Sequence, residues 1–249
     1  MRGNIITVQL RSTIFLQQNI VYTPENATMF RELLMPNSEI YNISQPGMTI
    51  FGMNPNMPQY GMPWRLCSKS DEEEYNIAFQ LGKIDIILAK ENPYDSDIEE
   101  KFCKKSSEWF SRILEKQGNV CAIRIAYAPL YAIPIEEHEE DNANYIWSNL
   151  LKTDFLKSNS VQDINISYLL KSELDIQGMK IPMNLLHNIF DGNQIKKEGN
   201  LQKIRKALLI QLDLNSVSEK ILYLEQKGIA EFFTKILKVK NNLIKNVTL

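Results

Sequence analysis

Residues 75–90 read YNIAFQLGKIDIILAK and set the fold class of this chain. Apolar residues recur at every second position on both sides of a two-residue turn predicted at Gly82-Lys83, as expected for two strands that each bury one face. These residues are Tyr75, Ile77, Phe79 and Leu81, followed by Ile84, Ile86 and Leu88. Because a tight hairpin joins antiparallel strands, whereas parallel strands need a long crossover, the stretch predicts an antiparallel sheet.

A second hairpin is predicted for residues 164–181, where apolar residues alternate up to a turn at Gln177-Gly178. The same kind of pattern predicts further strands, at residues 5–16, 49–53, 64–68, 121–133 and 207–214.

Two long helices are also predicted. The first begins at Ser96, which with Glu99 forms an S-x-x-E capping box, and Gly118 is placed to end it. The second covers residues 229–247. Both carry apolar side chains at helical spacing, so each can cover one face of a sheet. We therefore predict an α+β fold, mainly antiparallel sheet or sheets with long amphipathic helices packed on one face.

A strand-rich stretch followed by a long helix occurs twice along the chain. This order predicts two α+β subdomains, residues 1–136 and residues 137–249, with the boundary near Glu137. The same order is compatible with a duplicated strand–helix unit and with one continuous fold. A third, short helix is predicted around residues 145–155.

Catalytic motifs are not found in the sequence. It has no Walker A, G-x-G-x-x-G, G-x-S-x-G or EF-hand pattern, and its 10 glycines form no glycine-rich loop. These absences argue against the common nucleotide-dependent chemistries. We predict neither a metal nor a cofactor.

The candidate catalytic residues are His138, His187 and Asp213. His138 lies in an acidic run, residues 136–141, and could ligate a cation or act as a base, but it lacks helical metal-motif spacing, which favours a flexible acidic loop. His187 is predicted in a packed helix or turn. Asp213 could join Asp85 and Asp175 as dispersed nuclease carboxylates, although ordinary solvated acids occupy such positions equally well.

A methionine- and proline-rich segment, residues 44–64, is the most unusual local composition. Proline restricts a loop and methionine gives it an adaptable apolar surface, which together suit a protein-binding loop. The predicted partner-binding residues are Met48, Met53, Met57, Tyr60, Met62 and Trp64. The alternative is a long connection that covers one end of the sheet.

The charge of the chain gives no overall reason to expect nucleic acid or an anionic membrane, because the net charge is −2. It is unevenly spread: residues 71–141 hold 17 acids and 8 bases, whereas residues 196–249 hold 11 bases and 5 acids. Such asymmetry can orient a partner or favour self-association. Basic residues from Lys196 to Lys206 and on the last helix are the candidates for nucleic-acid binding. Three cysteines without C-x-x-C spacing, together with no predicted signal peptide or membrane span, lead us to expect a cytoplasmic protein.

The order of these features resembles a sporadically distributed prokaryotic family of roughly 250-residue proteins without an assigned function. The resemblance rests on Trp64-Arg65-Leu66, the hairpin of residues 75–90, the helix with Trp109 and Phe110, and the segments at residues 124–129 and 208–214. It implies the α+β fold and, by association, mobile cassettes of the defence or toxin–antitoxin kind. It brings no catalytic residues.

The sequence thus leads to one main hypothesis and two alternatives. The main hypothesis is a non-catalytic interaction subunit, regulatory, sensing or scaffolding, of a bacterial or phage-related system such as antiviral defence, with a protein partner or a homo-oligomer. The alternatives are a metal-dependent nuclease built from dispersed carboxylates and a sensor of a small ligand.

Overall fold

The computed structural model describes residues 5–43, 58, 60–68, 74–89, 92–118, 121–134, 165–198, 201–217 and 222–247. The helices in this part of the chain are α1 (Pro24–Leu34), α2 (Ser96–Gln117) and α3 (Gln226–Val247). The strands are β1 (Ile6–Leu16), β2 (Ser38–Asn42), β3 (Trp64–Ser68), β4 (Tyr75–Gln80), β5 (Lys83–Leu88), β6 (Asn92–Pro93), β7 (Ala122–Tyr127), β8 (Leu130–Pro134), β9 (Asn165–Ile176), β10 (Met179–Glu198) and β11 (Leu201–Ser216).

These strands form one sheet in the order β2-β3-β4-β5-β1-β7-β11-β10-β9, with β6 paired to β1 and β8 paired to both β1 and β11. Every pairing between these strands is antiparallel. The predicted α+β class with a mainly antiparallel sheet is therefore confirmed. Strands from before and after position 137 meet in this sheet, because β11 pairs with β7 and β8. The predicted boundary at Glu137 itself lies outside the described residues.

Both predicted hairpins are present, and one turn differs by a residue. In the β4–β5 hairpin Gln80 pairs with Lys83, so the turn is Leu81-Gly82 rather than Gly82-Lys83. Gly82 adopts a φ of 69°, a conformation that costs glycine little, and Leu81 is exposed at the turn instead of lying on the apolar face. The β9–β10 turn falls at Gln177-Gly178 as predicted, with both residues at positive φ.

Helix α2 has the predicted ends but a different cap. The carboxylate of Asp95, not the hydroxyl of Ser96, accepts the hydrogen bond from the backbone N–H of Asp97, at 2.9 Å. Glu99 does not complete a capping box, because its side chain is buried and paired with Lys240. Gly118 ends the helix at a φ of 62°.

Other elements depart from the predictions. The predicted strand at residues 121–133 is two strands, β7 and β8, since Pro129 between them has no N–H to continue a ladder. Helix α1 was not predicted, although Thr23 caps it and Pro24 occupies its first turn. The strand predicted at residues 49–53 and the helix predicted around residues 145–155 lie outside the described residues.

The core lies between the sheet and the helices. Trp64 of β3 stacks on Phe79 of β4 with ring centroids 4.2 Å apart, and Phe30 of α1 packs 5.1 Å from Phe79. On the same face, Phe102 of α2 packs on Tyr75, and α3 meets α2 through a ring contact. We call this side of the sheet the helix face and the other side the open face. Among the described helices, none has the length and apolarity needed to cross a membrane.

Candidate functional site

The structure does not bring His187 and Asp213 together. His187 lies on strand β10, not in the predicted helix or turn, and it pairs with Leu212 of β11. Because successive side chains of a strand point to opposite faces, His187 shares the helix face with Leu212, whereas Asp213 projects from the open face. His187 and Asp213 therefore do not meet in one site. His138 lies outside the described residues.

The surroundings of His187 are those of a packed residue. Its exposed fraction is 1%, its Nδ1 is hydrogen-bonded with the hydroxyl of Tyr168, and the two rings lie 4.7 Å apart. Burial lowers the pKa of His187, since desolvation disfavours the charged imidazolium. The ring is thus packed against Tyr168 of the neighbouring strand, with no carboxylate partner in the described part of the chain.

The predicted carboxylates are also separated, and each is already bound within the fold. Asp85 is buried on the open face and accepts hydrogen bonds from Thr13, Gln80 and Arg11, with Lys83 Nζ 3.3 Å away. Asp213 accepts a hydrogen bond from Asn215 at 2.9 Å.

The positions of Asp85 and Asp213 in the sheet rule out a metal ion bound by both residues. Strands β1 and β7 separate β5 from β11, so three interstrand steps, about 14 Å, lie between Asp85 and Asp213. Asp175 closes the β9–β10 turn by accepting from Gly178. No group of three potential metal ligands occurs among the described residues.

A buried ion pair joins helices α2 and α3. Lys240 is bonded to Glu99, and their side chains are 0% and 1% exposed. Lys240 also donates to the hydroxyl of Tyr94 at 3.1 Å, and Tyr131 donates to the other oxygen of Glu99. Burial and the Glu99 carboxylate raise the pKa of Tyr131. Because the pair is shut off from solvent, it fixes the helices against the sheet rather than presenting a reactive group.

Sequence reasoning missed this pair, although a signal was present. Lys240 follows Phe233 and Ile236 at helical spacing, so it lies on the apolar stripe of α3. A lysine on such a stripe, with Glu99 on the long helix before it, indicates a buried partner.

The predicted partner-binding residues separate into different environments. Tyr60 is 78% exposed and Met62 is half-buried, whereas Met48, Met53 and Met57 lie outside the described residues. Trp64 is fully buried, and its indole N–H donates to the carbonyl of Ile20 at 3.3 Å. Trp64 is therefore a core residue and is not available to a partner.

An unexpected apolar surface lies at the edge of the sheet. Three consecutive residues of β9, namely Tyr168, Leu169 and Leu170, are 37%, 52% and 44% exposed. Strand β9 ends the strand order, and in the described part of the chain it pairs with β10 alone. Consecutive residues point to opposite faces, so apolar groups are exposed on both sides of this strand.

Helix α3 covers only the far end of β9. Leu174 and Ile176 are buried, Lys235 of α3 donates to the carbonyl of Asp175, and Glu231 accepts from the N–H of Gln177. From Asn165 to Glu173, by contrast, the residues of β9 are exposed or half-buried. We call residues 165–173 the edge segment.

The backbone of the edge segment presents hydrogen-bonding groups outward. Ile176 and Met179 flank the two-residue turn and form a bonded pair with β10. The register with β10 is continuous, so every second residue back from Ile176 also bonds to β10. The residues between them direct N–H and C=O away from β10, namely Asn165, Ser167, Leu169, Lys171 and Glu173. The contact of Lys235 with the carbonyl of Asp175 agrees with this alternation.

A second feature lies at the end of the β10–β11 hairpin. Strand β8 pairs with β11 from Ala207 onward, and no described strand flanks the hairpin beyond that point. There the register places Lys196 opposite Lys203, and Arg205 opposite Gln194. Basic positions therefore cluster where the hairpin extends past its neighbours.

Comparison with protein-family models, with curated proteins and with solved structures finds no match for this chain.

Proposed function

We propose that this protein is a non-catalytic interaction subunit that binds a protein partner by strand addition along the edge segment of β9. The observation that carries the proposal is the run Tyr168–Leu170, exposed on an edge strand whose outward backbone groups have no strand partner in the described part of the chain. In strand addition, main-chain hydrogen bonds supply affinity and alternate side chains supply specificity. An edge strand with apolar side chains on both of its faces offers outward main-chain groups for affinity and side-chain contacts for specificity.

The distribution of polar side chains supports a non-catalytic role. Asp85 and Asp213 are engaged by neighbouring side chains, and His187 is buried against Tyr168. A general base must reach the proton that it abstracts, and none of these groups faces another across a cleft. In the nuclease alternative, His187 and Asp213 therefore cannot act together on one substrate. The small-ligand sensor stays a prediction.

The setting that we propose is the cytoplasm of a bacterial or phage-related system such as antiviral defence. The family resemblance of the sequence is its support. Tyr60 and Met62, with Met48, Met53 and Met57, form the second contact surface in this proposal, since Tyr60 is the most exposed of the large apolar side chains in the described residues.

The strand order supports a duplicated unit. Outward from the centre of the sheet, the chain up to the end of α2 contributes β1, β5, β4, β3 and β2, and the chain after α2 contributes β7, β11, β10 and β9, so the two halves compared here meet at the end of α2 and not at Glu137. In each half the first strand lies at the centre beside the last long strand, and a long amphipathic helix follows. This correspondence supports our proposal that the halves are copies of one unit.

Affinity capture from the native host, with and without phage infection, tests the proposed function. We expect a stoichiometric protein on the wild type, and about tenfold less of it on Leu169→Lys, because a lysine on an edge strand opposes strand addition. The matched control is Leu81→Lys, which changes a residue that is 58% exposed in the β4–β5 turn. Equal retention by the two variants would contradict the role of the edge segment.

A second candidate function is nucleic-acid binding at the basic end of the β10–β11 hairpin. Lysine and arginine neutralise phosphate groups, and the strand register places three of them, Lys196, Lys203 and Arg205, at this end of the hairpin. Phosphate contacts of this kind are lost steeply with added salt. Nucleic acid recovered in the same capture, released by salt and unaffected by Leu169→Lys, would support this candidate instead.

A further inference from the structure

We infer that the strand added at the edge segment is β9 of a second copy of this chain, antiparallel to the first, with a two-fold axis at Leu169. The inference rests on the proposed function, because it names the partner at the same edge. It follows from the limits of the edge segment and from the residues that self-pairing would bring together.

The limit that α3 sets on the edge segment and the exposed apolar run together place the axis. Helix α3 occupies the backbone at Asp175 and Gln177, so an added strand must stop before Asp175. In the described part of β9 before that point, the apolar run Tyr168–Leu170 is exposed, and Leu169 is its centre. A two-fold axis at Leu169 therefore places the whole run against its copy.

Self-pairing about Leu169 is complementary on both faces. On the open face, Leu169 meets Leu169 of the second copy. On the helix face, Tyr168 meets Leu170 of the second copy, and the symmetry makes this contact twice. Aromatic–aliphatic pairs of this kind stabilise neighbouring strands. Lys171 comes opposite Ser167 and Glu173 opposite Asn165, so no like charges face each other.

The backbone agrees with the same axis. The outward-directed residues are those at odd positions, and any two-fold axis centred on a residue, Leu169 included, places each of them opposite another outward-directed residue. Each such pair can exchange both of its main-chain hydrogen bonds.

Registers centred closer to α3 fit less well. An axis at Leu170 would place Leu169 opposite Lys171 and Tyr168 opposite Ser172, so of the apolar run only Leu170 would face an apolar residue. An axis at Lys171 would place two lysines directly opposite each other, which is destabilising.

The two ends of the sheet differ in the way expected if only one of them is an interface. Natural proteins protect edge strands by making them short, or with proline, bulges or charged side chains such as lysine. The edge segment carries Lys171, but its apolar run, Tyr168–Leu170, has none of these features. Strand β2, at one end, has five residues. Strand β9, at the other end, has 12 residues, no proline and an uninterrupted register with β10.

The test uses the full chain and opposite charges at the axis. Sedimentation equilibrium should give a dimer for the wild type and at least about tenfold weaker association for Leu169→Lys and for Leu169→Glu, because each variant places like charges opposite each other. Mixing the two variants in equal amounts should restore a dimer, since lysine then faces glutamate. Leu81→Lys and Leu81→Glu are the controls, and both should remain dimeric. Circular dichroism checks that every variant is folded.

Several results would overturn the inference. The first is a wild type that stays monomeric at about 100 μM, a concentration that populates any dimer with a Kd near 10 μM. The second is a set of Leu169 variants that dimerise as the wild type does. The third is a dimer restored by mixing Leu170→Lys with Leu170→Glu but not by mixing the two Leu169 variants. A monomeric wild type whose captured partner is lost with Leu169→Lys would overturn the second copy as the occupant while leaving the proposed function standing. A dimer broken by the Leu169 variants, with no other protein captured, would support the inference.

Discussion

Lys240→Met is expected to lower the free energy of unfolding by about 3–5 kcal/mol, the usual cost of removing one partner from a buried ion pair. The ammonium of Lys240 and the carboxylate of Glu99 are both sealed from solvent. Without Lys240, Glu99 keeps only Tyr131 as a hydrogen-bond donor among the described side chains. Urea unfolding followed by circular dichroism measures the change.

Two comparisons separate this effect from a general loss of helix packing. In the double variant Glu99→Met with Lys240→Met, most of the lost stability should return, because a buried ion pair replaced by apolar groups is often neutral. Lys235→Met removes a partly exposed ion pair with Glu231 on the same helix and the hydrogen bond to the carbonyl of Asp175, and it should cost about 1 kcal/mol. If Lys240→Met costs no more than Lys235→Met, the account of the buried pair is wrong.

Trp64→Ala is expected to cost about 3–5 kcal/mol, as truncation of a buried aromatic residue usually does. The substitution removes the stacking of the Trp64 ring on Phe79 and the hydrogen bond from its indole N–H to the carbonyl of Ile20. Tyr60→Ala, four residues earlier, should change stability by less than about 0.5 kcal/mol, because its side chain is exposed. Thermal unfolding of the two variants gives the comparison directly. Similar losses for both would show that the loop preceding β3 is packed differently.

The elements that the sequence predicted well are those specified by local pattern. The alternation in residues 75–90 and the Gln177-Gly178 turn determine two hairpins without help from distant residues. Gly118 likewise ends α2 where predicted, since only its own positive φ is needed. The turn at Leu81-Gly82 was displaced by one residue because cross-strand register, not composition, selects which pair closes the loop.

Strand β10 shows where local pattern fails. It spans 20 residues, and Pro182, Asp191 and Gly192 within it are more typical of turns. Pairing with β9 on one side and β11 on the other overrides these preferences. The sequence around His187 therefore predicts a helix or turn, although the residue lies in the middle of a strand.

The edge segment could not have been found from sequence alone. Ile166, Tyr168 and Leu170 recur at every second position in the same way as core residues of other strands. Their exposure depends on two facts that only the fold supplies, namely that β9 ends the strand order and that α3 covers no more than its far end. The same holds for Asp85 and Asp213, whose separation depends on the strands between them.

Amide hydrogen exchange along β9 tests most directly whether a strand adds at the edge segment. The outward N–H groups of Ser167, Leu169 and Lys171 should exchange fast in dilute protein. They should become protected when the protein is saturated with its partner, either the captured protein or, at high concentration, its own second copy. Leu169→Lys should abolish that protection. Unchanged exchange across residues 165–173, with protection appearing elsewhere on the bound protein, would contradict the account.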